Sequence, residues 1–142
     1  MPASAQQYPT RPVRFVVPFA PGGSTDTLAR TIGVKLADAL GQQVVVDNRT
    51  GGAAGAVALE TLSQATPDGH TIVLGYIANL AIAPSLYAKL PFDAVKDFAP
   101  ITQIATSPNV LTVHPSVNAK SLQELIALAK AKPGGISFAS TG

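Results

Sequence analysis

Pro21-Gly22-Gly23-Ser24-Thr25-Asp26 lies between an apolar run and an amphipathic one. The paired glycines let a backbone approach another group closely, and Ser24 or Thr25 is placed to cap a helix carrying Leu28, Ile32 and Leu36. A strand end, a glycine turn and a helix N-terminus are the parts of an anion cradle, in which backbone N–H groups and the positive helix end face a negative charge. No lysine follows the glycines, so the phosphate grip of a nucleotide-binding loop is missing. The pattern therefore suits a non-nucleotide anion, a carboxylate as well as a phosphate. An ordinary strand-to-helix turn uses the same residues, and both readings stand at this level. Asp26 either steadies the positive end of the helix or meets an amine or hydroxyl of a ligand.

Other candidate chemistry is thinner. Gly51-Gly52-Ala53-Ala54-Gly55 imitates a dinucleotide fingerprint, but the GxGxxG spacing is absent, and Asp68 sits in a turn rather than at the end of the next strand. Close packing of a helix on a strand explains these glycines better. His70 and His114 are the only histidines, and neither has a metal-ligand partner four residues on. Both are expected at a surface or a strand edge. A Ser24–Asp–His triad lacks the GxSxG elbow. No cysteine, paired carboxylate or ligand cluster appears, so no metal, cofactor or catalytic residue is expected.

The elements that position the loop follow from periodicity. Arg11–Phe19 reads as a strand whose near-continuous apolar run suits burial on both faces of a parallel sheet. A helix is expected over Thr25–Leu40, with Leu28, Ile32, Leu36 and Leu40 as its stripe and Gly41 as its left-handed cap. Val44–Val46 is a second strand ending at Asp47-Asn48-Arg49. Gly55–Ala65 is a second helix and Thr71–Ile77 a third strand. This βαβαβ order predicts a parallel sheet with flanking helices, and ligands in such sheets sit beyond the carboxyl ends of the strands. Further on, prolines punctuate a turn-rich segment with a helical turn near Pro84–Lys89. Val110–Val113 and Ile136–Ala139 read as strands. Ser121 caps a helix running to Ala131, Glu124 completes a capping box, and Pro133-Gly134-Gly135 ends it.

Composition narrows the class. Of 142 residues, 46% are hydrophobic and 13% charged, which favours a well-buried fold over a disordered one. The net charge of +2 is spread over single residues with few aromatics, which argues against a nucleic-acid partner. No apolar run approaches the roughly 20 residues of a membrane helix. Ala3-Ser4-Ala5 has the form of a signal-peptidase site, so residues 1–10 are read as the tail of a mature exported protein, with a short disordered tail as the alternative.

Several ordered segments together closely resemble the substrate-binding proteins of tripartite tricarboxylate transporters, the Bug or TctC family. They are VVPFAPGGSTDTLAR (16–30), VVDNRTGG (45–52), PDGHTIVLG (67–75), PSLYAKLPFDAVKDFAP (84–100), TSPNVLTVHP (106–115) and SFASTG (137–142). The resemblance implies a type 2 periplasmic binding-protein fold of two α/β lobes that close on a small carboxylate. It places residues 11–103 in an incomplete first lobe and residues 104–142 at the start of a second, with the chain apparently truncated within it. Its implied ligand contacts are Phe19, Ala20, Pro21, Gly22 and Gly23, side contacts from the Ile77–Asn79 turn with Asn79 among them, and Ser140, Thr141 and Gly142 from the second lobe; Asp26 stays a candidate contact from its place in the helix alone. It further implies a periplasmic, non-enzymatic protein whose partners are the carboxylate and the membrane permease subunits. Two other classes stay open: a self-associating module, such as a homo-dimer formed through uncovered sheet edges, and a dinucleotide-binding or Ser24-dependent enzyme fragment.

Overall fold

The computed structural model describes residues 8–108 and 110–139. The chain forms two units, Met1–Ile101 and Thr102–Gly142.

The first unit is built on one strand. β1, Val13–Val17, is buried at four of its five positions. Pro12 and Pro18 bracket it, and a residue with no N–H cannot continue a ladder, so the strand is shorter than the apolar run predicts. α1 is Ser24–Leu40, β2 is Val44–Asn48, α2 is Ala56–Ser63 and β3 is Thr71–Val73. All three strands are parallel in the order β2-β1-β3. Val13 to Val17 pair with Val44 to Asn48, and Arg14 to Val16 pair with Thr71 to Val73.

Alternation along β1 sends side chains to two cores. Phe15 and Val17 pack with Ala29, Leu74, Ile32, Val44, Val46 and Ile72 on the α1 side. Val16 packs with Ala56, Ala58, Leu59, Phe92 and Val73 on the α2 side. The result is the three-layer α/β arrangement expected from the element order. All three strands then run toward one rim, where the glycine loop lies.

Local details depart from the sequence expectation. The residue at the start of α1 is Gly23, extended at φ −77° and ψ 173°, and no side chain caps the helix, so neither Ser24 nor Thr25 plays that part. Asp26 takes over the polar role there, as described below. The α1 residues packed deepest are Asp26, Ala29 and Gly33, while Leu28, Ile32, Leu36 and Leu40 are half-buried. Small residues face the sheet: Gly33 lies over Val44 and Val46, and an added Cβ would be in ordinary van der Waals contact, 3.5 Å and 3.7 Å from their methyl groups. Gly41 does end the helix in the left-handed region, its N–H donating to Ala37 O.

β3 stops at Val73 rather than Ile77. Its partner strand ends at Val17, and the chain turns at Gly75 into a π-helical turn, Ala78–Ile82, that leads into α3, Ala83–Leu86. His70 is buried, contrary to the surface expectation. Its Nε2 accepts from Thr10 N–H, and its ring meets Tyr8 edge-on at 5.1 Å. The Tyr8 hydroxyl donates to Gly69 O, and Arg11 pairs with Asp68 at 2.8 Å, so residues 8–11 are stitched to the turn before β3.

In the second unit the described residues form one helix, α4, Leu122–Ala131. Ser121 Oγ accepts from Glu124 N–H, as the capping motif predicts, while the Glu124 carboxylate accepts from Lys120 N–H. Gly134, at φ +75°, follows the helix end. Val110–Val113 and Ile136–Ala139 are not strands. A strand exists by pairing, and among the described residues nothing pairs with either segment.

One glycine of the first unit is sterically required. Gly55, at φ +81°, lies so close to the end of β1 that a Cβ would meet Pro18 Cβ at 2.8 Å and Pro18 O at 3.0 Å. This is the close helix–strand packing read from the glycine cluster. Gly55→Ala is expected to cost about 1–3 kcal/mol through overpacking and the positive φ, measured by urea unfolding.

Candidate functional site

The rim is assembled from the three strand ends. The loop after β1 leaves Ala20, Pro21, Gly22 and Gly23 exposed, with Phe19 half-buried. Gly22 has φ +86° and nothing within 4 Å of where a Cβ would be, so its glycine serves the turn itself and not a tight contact. The segment after β3 brings Tyr76 to Phe19, their rings meeting edge to face at 5.7 Å and 89°. Asn48, the last residue of β2, donates from Nδ2 to Phe19 O at 2.9 Å.

The loop is held from below by Asp26. This carboxylate is only 4% exposed. Its Oδ2 accepts from Gly22 N–H at 2.9 Å and from Arg30 Nε at 2.9 Å, and its Oδ1 accepts from Asn48 Nδ2 at 3.0 Å. Arg30 Nη2 donates in turn to Asn48 Oδ1 at 3.2 Å. The Arg30 bond, then the Gly22 amide, hold the Asp26 pKa down to about 2 against the opposing effect of burial, with Asn48 adding to the hold. The carboxylate is therefore ionised at any ordinary pH and sits in the first turn of a 17-residue helix, where the peptide dipoles favour it.

The amides of the loop are thus not equivalent. Gly22 N–H is engaged by Asp26, whereas among the described residues nothing accepts from the N–H groups of Gly23, Ser24 or Thr25. These are the first donors of α1, which lack partners inside any helix. Chemically the rim offers outward N–H dipoles and an aromatic pair, and no nucleophile paired with a base. Two hollows of the described surface lie elsewhere. One of about 380 Å³ lies between α1 and β2, and one of about 290 Å³ lies beside Tyr87 and Phe92. The loop is an open surface feature of the first unit.

Of the residues expected at the site, Phe19, Ala20, Pro21, Gly22, Gly23 and Asp26 come together in one loop and its helix. Asn79 is wholly enclosed: its Oδ1 accepts from Tyr76 N–H at 2.9 Å, and its Nδ2 has no partner among the described residues. Tyr76 and Ile77, just before that turn, are exposed. Ser140, Thr141 and Gly142 lie outside the described residues. Arg30, Asn48 and Tyr76 were not picked out from the sequence as site residues. The spacing of Asp26 and Arg30, four apart on a helix, is a signal for the first. Asn48 and Tyr76 carry only their positions near strand ends. Among the described residues no cluster of His, Asp and Glu could hold a metal ion, and no helix is long and apolar enough to cross a membrane.

Comparison with known proteins gives a consistent set. A family model described as "Tripartite tricarboxylate transporter family receptor" matches residues 28–142. A UPF0065 protein of Bordetella pertussis is 43% identical over 140 residues, covering 99% of this chain and 43% of the relative. The chain therefore spans less than half the length of the curated relatives it matches. A solved structure described as a periplasmic transporter is 40% identical with a TM-score of 0.82, over 95% of this chain and 45% of that one. MatC from Rhodopseudomonas palustris with bound malate is 36% identical with a TM-score of 0.76, over 87% and 42% of the two chains. R. palustris Rpa4515 with adipate is 37% identical with a TM-score of 0.75, over 89% and 42%.

Two lowered carboxyl pKa values, that of Asp26 at the rim and that of Asp68 in the turn before β3, bear on stability. Asp26 and Asp68 each have a folded pKa of about 2 against an ordinary 3.8. For Asp68 the causes are His70 N–H first and Arg11 second. Between those values the unfolded chain binds more protons than the folded one, so the stability these two groups contribute is fully present above roughly pH 4 and is lost as pH falls toward about 2. Urea midpoints measured from pH 7 down to pH 2 are expected to be level and then to drop in that window. In Asp26→Asn the drop is expected to be shallower, from a lower starting level.

Proposed function

The chain belongs to the tripartite tricarboxylate transporter receptor family, and from that premise we propose that it captures a small carboxylate in the periplasm for delivery to the membrane subunits of such a transporter. The observation that carries this reading is the exposed Gly22-Gly23 turn at the N-terminus of α1, with Gly23, Ser24 and Thr25 amides open to an acceptor and no lysine beside them. Amide dipoles converging at a helix start suit a carboxylate, whose charge they share over two oxygens. The Phe19–Tyr76 pair supplies an apolar flank for a carbon skeleton. That similar proteins were solved with malate and with adipate supports dicarboxylates as the first candidates. The description of another similar structure as a periplasmic transporter supports the location. Ser140, Thr141 and Gly142 belong to the same proposal through the family resemblance alone.

Function in this reading is binding and release, with no bond made or broken in the solute. The reading is tested by calorimetry of the protein, as its natural reading frame encodes it, against malate, adipate, citrate and NAD. Binding of at least one carboxylate and none of NAD is expected, and a protein that binds no carboxylate overturns the proposal. Gly23→Pro sharpens the test, because φ −77° already suits proline and the substitution deletes one N–H donor. Loss of one bond to a charged acceptor is expected to weaken carboxylate binding by about tenfold or more, with little change in melting temperature.

A further inference from the structure

We infer that Asp26 is a positioning residue and not a ligand contact: its enclosed carboxylate, with Asn48 and Arg30, sets the shape of the Phe19–Gly23 loop and thereby decides which amides a ligand meets. The inference deepens the carboxylate reading and rests on it for the identity of the ligand.

Geometry separates the two roles. A carboxylate that bound a ligand amine or hydroxyl would need an open oxygen. Both oxygens of Asp26 are already engaged, by three donors within 3.0 Å, and the residue is buried. Two of those donors tie the carboxylate to the loop. Gly22 N–H is inside it, and Asn48 Nδ2 is shared between Asp26 Oδ1 and Phe19 O at the loop's other end. The orientation of the Asn48 amide is settled by its neighbours, since Phe19 O and Asp26 call for donors and Arg30 Nη2 calls for an acceptor. The loop is therefore tied to α1 through Asp26 and to the end of β2 through Asn48. β2 in turn is in register with β1, Val17 opposite Asn48.

Charge separates them as well. A bare carboxylate under the loop would repel an incoming anion. Arg30 is paired with it across one helical turn, in the orientation that helices favour, so the pair presents little net charge. Engagement of Gly22 N–H leaves the next amides, from Gly23 onward, as the available donors. A ligand is then met by amides whose positions are fixed before it arrives, which avoids the loss of ordering entropy on binding.

The two effects of removing Asp26 point in opposite directions, which makes the inference testable. Asp26→Ala deletes a negative charge and leaves Arg30 unpaired, so charge alone would tighten the binding of an anion. Loss of positioning would weaken it. The experiment measures malate affinity by calorimetry and hydrogen exchange of the Gly22 amide by NMR in Asp26→Ala, Asp26→Asn and Asn48→Ala. Ile72→Val, which trims the core away from the loop, serves as the control. Expected results are a loss of malate affinity of about tenfold or more in Asp26→Ala, a fall of similar size in Gly22 exchange protection, and neither change in the control. If Asp26→Ala fails to fold, the same readouts in Asp26→Asn and Asn48→Ala decide, with both expected to fall. Unchanged Gly22 protection, or malate binding as tight as wild type or tighter in the folded variants, overturns the inference. If the wild-type protein binds neither malate nor adipate nor citrate, the transport reading fails on its own account. Gly22 protection in the ligand-free variants still decides the role of Asp26.

Discussion

A single carboxylate organises this rim. Asp26 collects a backbone N–H from the loop before its helix, a guanidinium from one turn later and a carboxamide from the end of the neighbouring strand. Burying an ionised group is tolerated only when its charge is matched and its oxygens are bonded, and here both conditions are met. Because the three donors come from three different elements, satisfying them fixes where those elements stand. The turn at Pro21-Gly22-Gly23 has little packing of its own, and no side chain caps the helix that follows. Its shape is set by this one acceptor beneath it and by Phe19, tied to Asn48 through its carbonyl and to Tyr76 through its ring.

The arrangement also shows how a glycine turn ahead of a helix can be used without a phosphate. In a phosphate loop the external anion gathers the amides and a lysine completes the charge balance. Here an internal anion takes one amide and an arginine balances it, and the remaining donors at the helix start face outward. The full positive charges nearby, Arg30 and Arg49, are each already paired with an aspartate. A carboxylate, singly charged and able to accept several N–H bonds, matches this surface better than a polyphosphate does.

Beneath the rim, β1 is the element on which both cores depend. Its side chains alternate, Phe15 and Val17 toward the α1 layer and Val16 toward the α2 layer, so one strand anchors both. This much was legible in the sequence, because Val13, Phe15, Val16 and Val17 form an apolar run that only two-sided burial explains. The element order, the parallel sheet and the position of the loop at the strand ends were legible for the same reason. The limits of β1 could have been read from Pro12 and Pro18, since each removes an N–H from the ladder. The third strand was read too long, because Gly75 and Tyr76 continue an apolar pattern after the pairing partner has ended. In the second unit, Val110–Val113 and Ile136–Ala139 carry strand composition, but a strand is completed by a partner, and composition does not supply one.

The division between what each level decided follows the range of the forces involved. Sequence alone determined the features that arise within a few residues: the apolar run of β1, the helix after the glycines, the left-handed cap at Gly41 and the missing lysine. It also carried the family resemblance, through motifs in order along the chain. Tertiary structure alone decided that Gly22 N–H is occupied, that Asp26 is enclosed, that Asn48 reaches Phe19, that His70 is buried and that Asn79 lies inside its turn. Asn48 stands 22 residues from Asp26 and 29 from Phe19, and only the register of β2 on β1 brings them within hydrogen-bonding distance. Hydrophobic periodicity is written locally. The pairing of donors and acceptors exists only after the strands have aligned, because a hydrogen bond depends on a distance and an angle between groups that the chain itself keeps far apart.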